Sequence, residues 1–157
     1  MGPDNPGTLE SMGYLAITLG KEHKLEESER LLRDSVEIGL RTVGSVYTTR
    51  FAMGNLAITL AYEKRADQSI ALFEKLMAYA SKAEGTAMID ANYQYAAGLS
   101  VLGRKDQAFE HLQEAVKLGF ENTSQLTTDD DLKPLHDDPR FQALRDEIQR
   151  KQPVASK

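Results

Sequence analysis

One seven-position pattern occurs three times in this chain of 157 residues, and it restricts the fold more than any other feature. Met12, Leu15, Ala16, Leu19, Ser28, Leu32 and Ser35 recur 41 residues later as Met53, Leu56, Ala57, Leu60, Ser69, Phe73 and Leu76. After a further 39 residues the same places hold Asn92, Tyr95, Ala96, Leu99, Ala108, Leu112 and Ala115. Even the words repeat: Leu-Ala-Ile-Thr-Leu runs from Leu15 to Leu19 and again from Leu56 to Leu60. Within each copy the large residues fall on one face of a helix. The small residue among them (Ala16, Ala57, Ala96) stands where a second helix must come close. Ser28, Ser69 and Ala108 open the matching face of that second helix, and Leu32, Phe73 and Leu112 follow one turn later. Small opposite large is the pattern of two tightly packed antiparallel helices.

Turn signals fall between these helices. Lys21-Glu22-His23-Lys24, Glu63-Lys64-Arg65-Ala66-Asp67 and Gly103-Arg104-Lys105-Asp106 separate the two helices of each pair, and only the third offers the glycine favoured just past a helix end. Gly44-Ser45, Glu84-Gly85-Thr86 and Gly119-Phe120-Glu121-Asn122 separate the pairs. Thr8, Thr49 and Thr86 are the expected N-caps of the first helices. Further on, Asp138 is placed to cap, Pro139 to begin a helix, and Phe141, Leu144 and Ile148 to form its apolar stripe. Arg145, Glu147, Gln149, Arg150 and Lys151 give that helix a polar exterior, as the end of a repeat array requires. The expected fold is all-α, three helical hairpins (8–44, 45–84 and 85–119). A short extension or truncated repeat junction (1–7) precedes them; cap helices (120–152) and a frayed tail (153–157) follow.

These residues resemble the tetratricopeptide repeat (TPR) pattern W-x2-L-G-x2-Y followed by A-x3-F. Here it reads Met12-x2-Leu15-Ala16-x2-Leu19 with Ser28-x3-Leu32, and the resemblance runs from Thr8 to Leu118. Met or Asn replaces the Trp, and the helix-ending Pro is missing from all three copies. Periods of 41 and 39 resemble the long-helix variety found in kinesin light chains and bacterial signalling proteins. Gly2-Pro3-Asp4-Asn5-Pro6-Gly7-Thr8-Leu9-Glu10-Ser11-Met12 is similar to the G-P-x-H-P-x-T-L-x-S-M junction of that variety. The segment from Asp129 to Leu135 and from Asp138 to Leu144 is similar to the end of bacterial TPR arrays, many of which hang from kinases or other regulators. The chain carries no kinase signature.

The resemblance implies that these hairpins wind into a right-handed α-α superhelix, and that the chain is a non-catalytic adaptor binding a peptide or protein segment along its concave surface. The implied groove residues are Ile17 and Lys21 from the first copy, Phe51, Asn55, Ile58 and Tyr62 from the second, and Asp90, Tyr93, Gln94 and Ala97 from the third. Gly13, Gly20, Gly54, Ala61 and Val101 share those inward positions. Asn55 stands where relatives hydrogen-bond a ligand's backbone, a task its amide suits by donating and accepting at once. A carboxylate clamp is excluded, because Gly13, Ile17, Asp90 and Gln94 occupy places where it needs basic and amide groups. Charge or alanine at Tyr62 and Tyr93 is expected to abolish binding without unfolding. The alternative is a homo-oligomerisation module, a homodimer that covers the groove. A small-molecule regulatory domain would need a closed pocket.

Composition excludes much else. A net charge of −5 opposes nucleic-acid binding, which needs Lys and Arg to replace phosphate counterions. No stretch is long and apolar enough to span a membrane. Zero Cys removes thiolate and zinc-finger chemistry and suits a reducing, cytoplasmic setting. There is no Gly-rich phosphate loop and no Gly-x-Ser-x-Gly, so no catalytic residue or cofactor is expected. His23 and His111 read as solvated, and Asp129-Asp130-Asp131 and Asp138 as helix caps rather than metal ligands.

Overall fold

In a computed structural model, residues 5–42 and 46–151 are described. Among them there are helices and no strands. The eight α-helices are α1 (Pro6–Lys21), α2 (Leu25–Arg41), α3 (Val46–Tyr62), α4 (Ala66–Ala80), α5 (Ala87–Val101), α6 (Lys105–Leu118), α7 (Thr123–Thr128) and α8 (Pro139–Lys151). A 3₁₀ segment, Asp130–Leu135, lies between the last two. The expected turn at Gly44-Ser45, the residues before Asn5 and the expected tail beyond Lys151 lie outside the described residues.

Helices pack in sequence order, α1 on α2, α3 on α4 and α5 on α6, with α3 bridging α1 and α5. The chain is an all-α helical-repeat superhelix. Close approach within a pair depends on the small residues. Ala16, Ala57, Ala96 and Ala108 are fully buried. The Ser28 hydroxyl donates to the Ala16 carbonyl at 2.8 Å, and twelve residues likewise separate Ser69 from the Ala57 carbonyl it reaches at 2.7 Å. The third copy makes the same approach with Ala108 and no hydroxyl. Each pair turns in the same way. The amides of Lys24, Arg65 and Arg104 bond back to Leu19, Leu60 and Leu99, and those of His23, Lys64 and Gly103 to Gly20, Ala61 and Ser100. This paired closure requires a left-handed residue, and φ is +61° at His23, +63° at Lys64 and +75° at Gly103. Two of the three turns therefore hold a side chain where glycine fits best.

The helix starts depart from expectation. Asn5, not Thr8, caps α1, its side chain accepting from the Gly7 amide at 2.8 Å with Pro6 at the first helical place. Thr8 lies inside the helix. Thr49 is buried inside α3, packed where Gly39 of α2 lacks a Cβ. Thr86 does stand at the start of α5, but its hydroxyl donates to the Asp90 carboxylate at 3.2 Å and caps no amide.

The far end of the array is closed. Leu126 of α7, Leu132 and Leu135 of the 3₁₀ segment, and Phe141, Leu144 and Ile148 of α8 join Phe109, Leu112 and Val116 of α6 in one apolar cluster. Asp138 caps α8 through the Arg140 amide at 3.0 Å. The Arg140 guanidinium lies 4.2 Å over the Phe109 ring and pairs with Asp138 and Asp106, pinning the cap to α6.

Candidate functional site: a walled concave chamber

On the inner side, α1, α3 and α5 surround a cavity of about 620 Å³. Ile17 and Lys21 line it from α1; Phe51, Asn55, Ile58 and Tyr62 from α3; Tyr93, Gln94 and Ala97 from α5. Asp90 does not reach it. That carboxylate lines a neighbouring cavity of about 270 Å³ with Tyr47, Arg50 and Phe51, where burial raises its pKa against the opposing influence of Thr86 and Arg50. Of the other inward positions, Gly13 lies beneath the Phe51 ring and Gly54 beneath Gln94, while Ala61 is fully buried and lines neither of these cavities.

One wall was not foreseen. Gln125, Thr128 and the three aspartates Asp129, Asp130 and Asp131 complete the chamber, so the cap folds across the mouth of the groove. Two groove tyrosines hold it there. The Tyr93 hydroxyl donates to Asp129 Oδ2 at 2.8 Å, and the Tyr62 hydroxyl donates to Asp131 Oδ1. Burial, and then the adjoining carboxylates, push both phenols well above the usual tyrosine range. Burial also raises Asp131, helped by the charges of Asp129 and Asp130 and opposed by the Tyr62 hydrogen bond. Asp129 does cap the 3₁₀ segment, accepting from the Asp131 amide at 3.0 Å, and Asp130 pairs with Lys133 at 2.7 Å. The capping role read from the sequence therefore holds for Asp129, while its bond to Tyr93 lies 36 residues away and leaves no local signal.

These bonds change what the tyrosines can do. Tyr93 is 6% exposed and stacks on Phe120 at 4.8 Å, so it belongs to the core, and its replacement is expected to disturb the fold. Tyr62 is 41% exposed and keeps a face to the chamber. Asn55 turns its amide back, Nδ2 donating to the Phe51 carbonyl at 2.8 Å. The chamber has an aliphatic and aromatic floor, and a carboxylate wall already engaged with the protein.

His111 is half-buried rather than freely solvated. Its ring stacks on Tyr95 at 4.2 Å, and Tyr95 stacks on Phe73 at 4.6 Å, a ladder of three rings across α6, α5 and α4. The Asn92 amide donates through Nδ2 to the Met88 carbonyl, leaving Oδ1 to accept from His111 Nδ1–H at 2.8 Å. Burial lowers the His111 pKa against the pull of Glu110 and Glu114. A lone outward histidine in a helix carries no sign of such a partner on another helix.

The fold and chamber define a helical-repeat protein, with successive helix pairs stacked around a concave inner face. The sequence model of a family described as "A/B hydrolase-like, N-terminal domain" matches residues 48–156, more than half of the chain, and the chain belongs to that family. A second model, described as "Tetratricopeptide repeat", matches residues 8–46, the stretch that holds α1 and α2. Comparison with curated proteins and with solved structures gave no match. Among the described residues no helix is long and apolar enough to cross a membrane.

Proposed function

We propose that this chain is a protein-interaction domain that accepts a peptide or protein segment in the chamber between α1, α3, α5 and the aspartate wall, and performs no chemistry of its own. One observation carries the reading. Nine of the ten groove residues that the family resemblance implies line a single cavity. Its floor of Ile17, Ile58 and Ala97 with Phe51 and Tyr62 suits apolar side chains of an inserted segment. The family name concerns N-terminal domains of A/B hydrolase-like proteins. The chain then serves as the recognition element beside a hydrolase-like domain, delivering a protein partner to it. Within the described residues no three acidic or histidine side chains gather as metal ligands, and the sequence holds no nucleophile elbow.

The test is selection of a displayed random peptide library on the purified protein. Enriched peptides are expected to bind the wild type and to lose binding to Ile58→Glu, which places a charge on the chamber floor. Circular dichroism confirms that the variant remains folded. Peptides that bind both proteins equally, or no enrichment at all, would contradict the proposal.

A further inference from the structure

The charges around the chamber are unbalanced. Asp129, Asp130 and Asp131 all line it, and among the described residues Lys21 is the one lysine or arginine that does. Lys133 pairs with Asp130 from outside that lining. Asp129 and Asp131 have no such partner: among the described residues, neither carboxylate stands at ion-pairing distance from a lysine or arginine. Lys21 is exposed and acts on Asp130 and Asp131 only from a distance. Neutral donors answer the two carboxylates instead. Asp129 takes the Asp131 amide on one oxygen and the Tyr93 hydroxyl on the other. Asp131 takes the Tyr62 hydroxyl on Oδ1, and its Oδ2 has no donor among the described residues. A half-buried carboxylate without a cation is disfavoured in its charged form, which is why burial raises the Asp131 pKa. The Tyr62 ring adjoins this carboxylate and is 41% exposed, and Ile58 lines the chamber one helical turn away.

We propose that the segment held in the chamber presents a lysine or arginine side chain, its aliphatic stem along Ile58 and its cationic head at Asp131 beside the Tyr62 ring. The inference rests on the chamber being a segment-binding site and names the chemistry of that segment. One kind of side chain matches all three surfaces. A long basic side chain lays its stem on apolar groups while its head keeps polar company. The head gives Asp131 a charge-assisted hydrogen bond, roughly twice as strong as a neutral one. The face of the Tyr62 ring adds its own attraction for a cation. An acidic side chain would meet three carboxylates and is rejected. An apolar one reaches the floor but leaves Asp131 without a cation. The net charge of −5 draws a basic segment toward the chain before contact.

Selection of a displayed random peptide library on the whole chain, followed by calorimetric titration of the best-enriched peptide, tests this. Enriched sequences are expected to share a lysine or arginine beside apolar residues. Norleucine in place of that residue, which keeps an aliphatic stem and removes the charge, is expected to weaken binding to the wild type at least ~10-fold. Asp131→Asn removes the carboxylate charge and keeps an oxygen for the Tyr62 hydroxyl. It is expected to weaken the basic peptide by a similar factor and to leave the norleucine peptide unchanged. A variant that merely distorted the chamber would weaken both peptides alike. Three results overturn the inference while the chamber remains a segment-binding site: enriched peptides that lose binding to Ile58→Glu yet share no basic residue, a norleucine peptide as tight as its parent, or equal weakening of both peptides by Asp131→Asn. No enrichment at all overturns both readings.

Discussion

The Phe73 ring of α4 occupies the space that a side chain on Gly98 of α5 would need: a Cβ there would fall 2.2 Å from Phe73 Cε2. Phe73 is fully buried and stacked on Tyr95, a neighbour of Gly98 on the same helix, so it has little room to retreat. Gly98→Ala should therefore destabilise the fold by about 1–3 kcal/mol through overpacking, despite alanine's better helix propensity. Urea unfolding measures this. Adding Phe73→Leu should recover part of the loss, giving a double mutant less damaged than the sum of the singles. An alanine variant as stable as the wild type would show that these helices do not meet so closely.

The shared turn geometry gives a prediction of opposite sign. Lys64 sits at φ +63°, where a side chain crowds the backbone and glycine does not. Lys64→Gly should stabilise the protein by ~0.5–1 kcal/mol, and Gly103→Ala should cost about 1 kcal/mol, since both positions close the same turn. Thermal or chemical denaturation of the two variants checks the pair. A destabilised Lys64→Gly would contradict the assignment.

His111 makes stability depend on pH. Its folded pKa is lowered below 6.5 by burial, so the native state holds its proton less tightly than the unfolded chain does. Stability from the neutral ring is complete above pH 6.5 and drains away as pH falls below it through the folded value. His111→Gln should flatten that part of the stability profile, and the ring resonances should titrate with a midpoint under 6.5. A midpoint at or above 6.5 would contradict the Asn92 and Tyr95 contacts as described.

Much of this fold was legible in the residues because repeat packing is written locally. Ala16, Ala57 and Ala96 announce close approach within their own helices, and Phe141, Leu144 and Ile148 announce a cap by spacing alone. The inner face came from the family resemblance laid over those repeats, and Ile17, Asn55 and Ala97 do fall in one cavity. What escaped depends on contacts between distant segments. Nothing near Tyr93 tells of Asp129, and nothing near His111 tells of Asn92 or Tyr95. The helix starts escaped for a different reason. Threonine is a fair cap, yet Asn5 followed by Pro6 is a better one, and the stronger local signal won.

The central claim, that a protein segment lies in the chamber between α1, α3, α5 and the aspartate wall, is tested most directly by amide chemical-shift mapping of the whole chain with a selected peptide. The account predicts perturbations concentrated at Ile17, Asn55, Ile58, Tyr62 and Ala97, extending to Thr128 and Asp130 on the wall. Perturbations confined to the outer faces of α2, α4 and α6, with those residues unmoved, would contradict it.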